Sequence, residues 1–501
     1  MKKIASFIIL LLLAAGAYSC DMDKQPRNQL PREIQSVSDA NSISVGLYSK
    51  LKGLTTGAYY NLTDFQTDLF HATATFGNFR GVYYQWSFQT TDADMETMWY
   101  GWYNAIAQAN YLIEGIDELR KTLTLTEVEE AALDDMYGSA HWIRAYSYYN
   151  LAIIWCDDYN PSTAASTLGL MLATEYDPSS DVSTYLPRSP LSETFKRITD
   201  DLDIANTYIE ETANEIYISK DAIAALKARV ALYMRDWPTA ISQATSLINS
   251  DRYALISDQE DFDDMWENDN GDEIIFKAEI VSSNDGGNST GLYFIYNQNN
   301  GPQSEPQYIP EQWVLDLYDP TDIRFNSYFR EETNKMGEVG TFDLYLVWKY
   351  PGNPALKAGA ANNYRNKGKI FRIAEMYLIA AEAYQESGQE AQASALLNEL
   401  KANRIPDWET ISYSGSALQT EIRNERTREL FAEGVRFPDL KRWGLGFTRG
   451  VGQYTDAIFQ GPNHSGLSVE ANNPRFVWPI PKKEMDVNPH VKDQQNPGYT
   501  N

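Results

Sequence analysis

The chain has 501 residues, of which 43% are hydrophobic and 22% are charged. This apolar fraction excludes a disordered chain, and the 30 glycines and 21 prolines show no collagen-like period. Asp and Glu number 69 against 42 Lys and Arg, a net charge of −27, which disfavours nucleic acid as a partner because a phosphate backbone binds basic surfaces. Neutral sugars are not excluded.

The first twenty residues have the pattern of a secretory signal. Lys2 and Lys3 precede an apolar run over 7–17, which is far shorter than the ~20 residues of a membrane-spanning helix. With Cys20 shortly after this run, the segment resembles a bacterial lipoprotein signal, in which the cysteine is lipidated and becomes the new N-terminus. We predict a signal peptide over 1–19 and a tether over 20–35. The alternative is an ordinary secreted protein with an unmodified cysteine.

Most of the chain beyond the tether has the apolar spacing of amphipathic helices. Thr126 and Glu129 form a capping box at the start of one helix, and Ser219 is an N-cap for a later one. Such periodic segments occupy about 36–250 and 370–445. The sequence therefore predicts a mainly α fold.

Two helical segments repeat the same spacing of one large ring and two small residues. The residues are Tyr233, Ala240 and Ala244 in the first segment and Tyr384, Ala391 and Ala395 in the second. A turn interrupts each segment between the tyrosine and the first alanine. This spacing resembles the paired helices of tetratricopeptide repeats, in which small residues let two helices approach closely. The alternative is two ordinary helical hairpins.

The helical periodicity is interrupted between about 251 and 369. Short strands are predicted at 273–276, 291–296 and 342–350, joined by loops rich in Asn, Gly, Gln and Pro. We interpret this region as an irregular insertion on the helical scaffold, where binding sites tend to lie. The segment 446–501 is predicted to be irregular as well.

No pattern of catalytic or metal-binding residues emerges. The four histidines are not at ligand spacing, and the chain has neither a nucleophile elbow nor a phosphate-binding glycine loop. We predict no catalytic residue, no metal site and no cofactor. Acidic pairs are numerous, but the sequence does not place two carboxylates across a cleft as a glycosidase requires.

Two clusters of aromatic residues lie outside the helical stripes. The first cluster surrounds Phe79 and the second surrounds Tyr296. Flat rings stack on the apolar faces of sugar rings, and arginine donates hydrogen bonds to hydroxyl groups. The predicted ligand-binding residues are Phe79, Arg80, Tyr83, Tyr84, Trp86, Tyr293, Tyr296 and Trp313. The alternative is that these rings cover the helical core.

The segment 421–444 reads EIRNERTRELFAEGVRFPDLKRWG. Its arginines alternate with acidic residues, and planar guanidinium groups bind carboxylates through two parallel hydrogen bonds. We therefore predict an ion-pair network that locks helices together rather than a catalytic cluster.

This segment, with its ERTREL and EGVRFPDLKRWG blocks, is typical of the SusD/RagB family of nutrient-uptake lipoproteins. Further blocks agree with that family: FRIAEM to AEAY over 371–384, PIP at 479–481 and QNPGY at 495–499. The helix predicted over 99–110 also resembles an early family helix. The resemblance extends from Cys20 to the C-terminal residues.

The resemblance implies a fold of tetratricopeptide-like helix pairs in a right-handed scaffold, with one domain over 36–501. It also implies a protein without enzymatic activity, anchored by lipid to the extracellular face of the outer membrane. Family members bind oligosaccharides or other nutrients and cap a TonB-dependent transporter of the SusC type. We therefore predict an oligosaccharide ligand and a SusC-like partner. A helical glycoside hydrolase and a peptide-binding repeat scaffold are the alternatives.

Overall fold

The computed structural model describes residues 33–55, 57–282, 296–297, 305–357, 359, 364–450, 452–459 and 467–499. The structure is mainly helical, which confirms the predicted fold class. The helices are α1 (Val37–Leu54), α2 (Ala58–Phe65), α3 (Gly81–Tyr84), α4 (Ala93–Thr122), α5 (Glu127–Trp155), α6 (Leu191–Tyr208), α7 (Lys220–Met234), α8 (Trp237–Ile248), α9 (Gln259–Glu267), α10 (Gln312–Leu315), α11 (Ile323–Tyr328), α12 (Ile373–Glu386), α13 (Glu390–Ala402), α14 (Gly415–Glu429), α15 (Arg436–Trp443) and α16 (Lys482–Val487).

The strands are short and form separate two-stranded antiparallel pairs. They are β1 (Phe70–Ala72) with β5 (Tyr308–Pro310), β2 (Ile274–Lys277) with β8 (Lys369–Arg372), β3 (Tyr296–Asn297) with β4 (Glu305–Pro306), β6 (Phe329–Met336) with β7 (Gly340–Val347), and β9 (Phe447–Thr448) with β10 (Ser468–Val469).

The long helices form one continuous stack. Each helix from α4 to α7 packs on the next helix along the chain, α8 packs on α12, and α12 continues the stack to α13 and α14. A stack of neighbouring helix pairs is the arrangement of tetratricopeptide-like proteins, and the insertion leaves it unbroken. None of the helices in the described part of the chain combines the length and hydropathy that a membrane span requires.

The repeated spacing correctly identifies the packing residues in only one of the two helix pairs. Ala240 and Ala244 are fully buried where α8 packs on its neighbours. In the second pair, however, Ala391 and Ala395 are exposed and Ala393 faces the core. The prediction for those two alanines is wrong because α13 presents a different face to α12 than α8 presents to α7.

Side-chain caps begin the helices where the sequence predicts them. The Thr126 hydroxyl accepts a hydrogen bond from the Glu129 amide, and the Glu129 carboxylate accepts one from the Thr126 amide. Ser219 caps α7 through the Ala222 amide. Each cap satisfies an amide that has no partner within the helix, which stabilises the fold by about 1 kcal/mol.

The insertion leaves the stack at β2 and returns at β8. These two strands pair with each other, with Ile274 opposite Arg372 and Lys277 opposite Lys369. Its aromatic residues form a second hydrophobic core with residues from elsewhere in the chain, among them Phe65 and Phe70. The segment from α2 through α3 therefore packs on the insertion, although it is far from it in sequence.

A network of buried ion pairs joins the insertion to the helical stack, as the 421–444 segment predicts. The Glu429 carboxylate, on the last residue of α14, accepts hydrogen bonds from three arginines. These bonds come from Arg324 Nη1 at 3.0 Å, Arg372 Nη1 at 2.6 Å and Arg404 Nε at 3.0 Å. All four side chains are at most 1% exposed.

Further carboxylates belong to this network, among them Glu273 and Glu425. Glu273, directly before β2, accepts from Arg404 Nη2 at 2.7 Å, and Glu425 accepts from Arg324 Nη1 at 2.6 Å. A buried ion costs several kcal/mol in lost hydration, and only full pairing offsets that loss. The network therefore stabilises the fold only while the insertion and the helical stack stay together.

Acid should weaken this network in a defined pH range. Burial alone would raise the pKa of Glu425, but the charges of Arg324 and Arg428 outweigh it and lower the pKa to about 2. Because the pKa in the folded state lies below the ordinary value, the ionised group stabilises the fold above about pH 4.5, and this contribution is lost as the pH falls toward about 2. We expect the protonation of Glu425 by itself to lower the free energy of unfolding by about 2 kcal/mol between pH 5 and pH 2.5, measured by denaturant titration at the two pH values.

Two variants isolate this carboxylate. Glu425→Gln cannot ionise, so its free energy of unfolding should depend less on pH over that range. Glu338→Gln removes an exposed carboxylate in the turn between β6 and β7 and should keep the dependence of the wild type. Equal pH dependence in Glu425→Gln and the wild type would contradict the role assigned to Glu425.

Candidate functional site

The segment after β1 lies at the centre of a surface built by three distant parts of the chain. β1 pairs with β5, so that Ala72 lies opposite Tyr308. Beyond β1, the Thr73 amide donates to the Gln307 carbonyl at 3.0 Å, and the Thr73 hydroxyl donates to the Pro306 carbonyl at 2.6 Å. The chain around 70–80 is thereby fixed to β4 and β5 of the insertion.

The third part is the segment 452–459. The Ala74 amide donates to the Ala457 carbonyl at 2.9 Å, and the Phe459 amide donates to the Ala72 carbonyl at 2.8 Å. We define the candidate surface as residues 72–80, 305–310 and 452–459. It consists of irregular backbone held by hydrogen bonds between segments rather than by one sheet.

Phe79 is the predicted ligand-binding residue that this surface exposes, and the side chain of the neighbouring Arg80 is 20% exposed. Phe79 is 39% exposed, and the Arg80 guanidinium lies 5.3 Å from the centre of the Phe79 ring. The Phe79 carbonyl accepts a hydrogen bond from the Tyr308 hydroxyl at 2.6 Å. Arg80 also donates to Asn61 and lies 3.6 Å from an Asp94 oxygen. One aromatic face and one guanidinium group therefore stand together at the surface.

The backbone that presents these side chains is strained. Asn78 and Arg80 have positive φ angles of 58° and 50°, in the left-handed region that favours glycine. Such conformations persist only where surrounding contacts enforce them, and they concentrate at ligand-binding positions. The hydrogen bond from Tyr308 to Phe79 is one such contact.

Part of the second aromatic cluster approaches the same surface. In the β3–β4 pair, Tyr296 lies opposite Pro306, the residue whose carbonyl accepts from Thr73. The structure therefore brings the Tyr296 backbone to the edge of the candidate surface. The Tyr296 side chain and all of Tyr293 lie outside the described residues, and so does Cys20. Their predicted roles remain predictions.

Three of the predicted ligand-binding residues are in the core instead. Tyr83, Tyr84 and Trp86 are 1%, 0% and 5% exposed. In this structure their ring faces contact protein and are not available to a ligand, so for these residues the alternative of a packing role is correct. Burial also raises the pKa of the Tyr84 hydroxyl to about 12.

Trp86 shows why the sequence does not reveal this burial. Its ring packs 4.8 Å from the Phe476 ring and 6.2 Å from the Phe437 ring, and its indole donates to the Gln66 carbonyl at 2.7 Å. Phe437 and Phe476 are hundreds of residues away in the chain. Only the fold shows that they cover Trp86.

Trp313 lies at the other end of the β1–β5 pair from Phe79. Its side chain is half-buried, its indole donates to the Asp68 carbonyl at 2.8 Å, and the Arg436 guanidinium lies 5.4 Å from the ring centre. The structure therefore does not place Trp313 beside Phe79. The guanidinium beside the Trp313 ring is comparable to the one that lies beside the Phe79 ring.

Sequence reasoning missed Arg449, the residue that holds the first aromatic cluster in place. This buried guanidinium donates to the carbonyls of Phe65, Thr67 and Tyr84 at 2.7, 3.0 and 2.9 Å. It also lies 3.9 Å from the centre of the Tyr84 ring. A lone arginine in an irregular segment carries no motif, so no sequence signal identified it.

A second missed feature is a pair of rings at the side of the candidate surface. Phe342 on β7 and Tyr454 lie 5.6 Å apart, and Tyr454 is 46% exposed. Gly337, in the turn between β6 and β7, lies next to the Thr75 side chain. The apolar and polar alternation of β7 could have identified Phe342, whereas Tyr454 is isolated in sequence.

Two protein-family models match separate parts of the chain. The model described as "SusD family" matches residues 340–499, and the model described as "Starch-binding associating with outer membrane" matches residues 22–232. The second range contains Phe79 and Arg80, and the first contains the 421–444 segment.

One protein is similar over most of its length, and another over a quarter of its length. SusD-like protein P38 of Formosa agariphila is 25% identical over 441 residues, which cover 80% of this chain and 79% of that protein. The starch-binding protein SusD of Bacteroides thetaiotaomicron is 32% identical over 152 residues, which cover 27% of this chain and 25% of that protein.

Solved structures share the fold. A SusD superfamily protein from Bacteroides thetaiotaomicron superposes with a TM-score of 0.79 at 25% identity, over 92% of this chain and 100% of that one. A putative sugar binding protein from Bacteroides vulgatus superposes with a TM-score of 0.75 at 25% identity, over 94% of this chain and 100% of that one.

The buried position of Trp86 leads to a stability prediction. Trp86→Ala should lower the free energy of unfolding by about 3–5 kcal/mol, because it leaves a cavity among aromatic rings. Phe79→Ala removes a partly exposed ring and should lower it by less than about 1 kcal/mol. Denaturant titration monitored by circular dichroism measures both values. Similar losses in the two variants would contradict the distinction between core and surface rings.

Proposed function

The chain belongs to the SusD/RagB family, and from this premise we propose that it is a cell-surface lipoprotein that captures oligosaccharide and delivers it to a TonB-dependent transporter of the SusC type. The printed descriptions of relatives support the binding role, since one is a starch-binding protein and another a putative sugar binding protein. The description of one family model supports outer-membrane association.

The observation that carries the binding proposal is the convergence of three chain segments beneath Phe79 and Arg80. The segments hold one another by hydrogen bonds from Thr73, Ala74 and Phe459, so the surface needs little reorganisation to bind a ligand. An organised surface loses little conformational entropy on binding.

The chemistry of the exposed groups suits a neutral sugar. The Phe79 ring provides an apolar face for a pyranose, and the Arg80 guanidinium provides donors for hydroxyl groups. We further propose that Tyr296, Tyr293 and the open face of Trp313 extend the contact to additional sugar units. A shallow surface of this kind binds weakly, which suits a protein that must release its ligand to a transporter.

Replacing the exposed ring tests the binding site. We expect Phe79→Ala to weaken binding of the retained polysaccharide roughly 10-fold, which corresponds to the loss of about 1.4 kcal/mol of contact. Affinity electrophoresis in gels that contain starch, xylan, mannan or fructan measures the change. Arg80→Gln should weaken binding as well, since it removes the charged donors.

The control for this experiment is Val128→Ala, which shortens another exposed apolar side chain on the first turns of α5. It should bind as the wild type does. Unchanged retention of both Phe79→Ala and Arg80→Gln would contradict the proposed surface. Release of reducing ends from any retained polysaccharide would favour the glycoside hydrolase alternative instead.

The anchor and the partner are tested together. In the native bacterium, the wild type should incorporate labelled fatty acid at Cys20, and a tag on it should recover a TonB-dependent β-barrel transporter from detergent-solubilised outer membrane. Cys20→Ser should incorporate no label and leave the membrane fraction, because a protein without acyl chains has no hydrophobic anchor.

Cys156→Ser is the matched control, since that cysteine is free and buried in the core. It should keep both the label and the transporter. Fatty-acid labelling of Cys20→Ser would contradict the anchor, and recovery of the labelled wild type without a transporter would contradict the delivery role.

A further inference from the structure

A groove of about 640 Å³ lies on the helical stack and shares no residue with the candidate surface. Its walls come from the first turns of α4, the irregular segment 171–177, the residues 184–186 and helix α16. Its volume lies within the range of small-ligand sites, about 300–1,000 Å³.

Side chains from the core hold the irregular wall of the groove in place. The Asn110 amide group donates to the Ala173 carbonyl at 3.0 Å and to the Glu175 carbonyl at 3.1 Å. The Tyr148 hydroxyl also donates to the Ala173 carbonyl, at 2.9 Å. Asn110 is fully buried, so these bonds are shielded from water. The segment is therefore rigid although it belongs to no helix or strand.

The opposite wall is fixed in the same manner. Asn488, directly after α16, donates from its side chain to the Leu186 carbonyl at 3.0 Å, and it is 3% exposed. This bond joins α16 to the residues 184–186. Both walls are thus organised before any ligand binds, which lowers the entropy cost of binding.

Exposed apolar side chains converge on this groove. Tyr100, Leu186 and Val487 are 37%, 41% and 53% exposed, and they come from three separate elements. Isolated exposed apolar residues are ordinary, but several that face one concave site indicate a contact surface. A tyrosine with aliphatic neighbours provides the flat apolar area that a sugar ring covers.

The charged groups of the groove are mainly carboxylates. The carboxylates of Glu175, Asp177 and Glu484 line it. Within the lining, which lies entirely in the described part of the chain, Lys483 is the one cationic side chain, and its ammonium group pairs with Glu96. An anionic ligand is disfavoured by these charges, whereas a ligand with many hydroxyl donors is matched to them.

The state of Glu484 favours a neutral ligand over a cationic one. Burial raises the pKa of this carboxyl group above its ordinary value, because the charged form is poorly hydrated there. The group therefore carries negative charge less readily than an exposed carboxylate, and it suits a hydroxyl better than an ammonium group.

We propose that this groove is a second oligosaccharide-binding site, in which Tyr100 and Leu186 contact the apolar faces of sugar units and the carboxylates of Glu175 and Asp177 accept bonds from their hydroxyls. The proposal takes the class of its ligand, an oligosaccharide, from the proposed function. The site itself is inferred from the geometry of the groove.

Hydrogen–deuterium exchange measured by mass spectrometry tests this site locally. The mature protein is incubated separately with maltoheptaose, xylohexaose, mannohexaose and inulin-type oligofructose. We expect at least one of them to slow exchange over 171–187 and 482–488 at least 3-fold. The same effect should appear in Phe79→Ala and be absent in the double variant Tyr100→Ala/Leu186→Ser.

Tyr217→Ala is the matched control, because Tyr217 is 54% exposed and lies outside both sites. It should behave as the wild type does. The thermal midpoint of each variant is measured first, and a double variant that unfolds is replaced by Tyr100→Ala alone.

Three outcomes would overturn the proposal. The first is no slowing of exchange over 171–187 with any of the four oligosaccharides, and the second is equal slowing in the double variant. The third is slowing of exchange only in a parallel sample that contains a leucine–lysine peptide instead of an oligosaccharide. The last outcome would indicate a docking site for a basic protein segment. Slowing over 72–80 and 305–310 reports separately on the proposed function. Its absence would contradict the candidate surface and leave the result for the groove intact.

Discussion

The structure depends on the complete pairing of one buried carboxylate. Glu429 is removed from water, and the guanidinium groups of Arg324, Arg372 and Arg404 supply its hydrogen bonds. Two of these arginines belong to the insertion or its final strand, while Glu429 ends a helix of the stack. If one of these partners were removed while the two parts stayed together, a charge would be buried without full pairing. The network therefore specifies how the two parts fit together.

This constraint explains why an irregular surface can be well organised. The ion network fixes the position of the insertion on the stack. In that position, the β5 strand of the insertion pairs with β1. Arg449 fixes the segment between α2 and α3 through three carbonyl groups. The left-handed backbone at Arg80 is possible because these contacts enforce it. Hydrogen bonds beneath the surface thus hold this left-handed backbone in place.

Two separate weak sites would suit capture of a polymer. When one part of a chain is bound, the next part remains at a high local concentration near the second site, which raises the overall affinity without tight contacts at either site. Each contact can still dissociate rapidly, which suits the proposed delivery to a transporter. The net charge of −27 favours neutral polymers over acidic ones for both sites.

Local chemistry made a large part of this protein predictable from its sequence. Apolar periodicity indicated the helices, the capping box at Thr126 marked a helix start, and the alternating charges of 421–444 indicated an ion network. The helix periodicity and the capping box lie within one turn or one short segment, so the residues that act together there are neighbours in sequence. For the ion network, the 421–444 segment indicated only its own charges, because the arginines that pair with Glu429 come from distant segments.

The exposure of aromatic residues was decided by the tertiary structure alone. Phe79 and Trp86 lie in the same short segment and have the same apolar character, yet one is at the surface and the other is in the core. Rings from Phe437 and Phe476 cover Trp86, and the Tyr308 hydroxyl holds the backbone of Phe79. Burial is a property of contacts between distant segments, and no local pattern records which segments will meet.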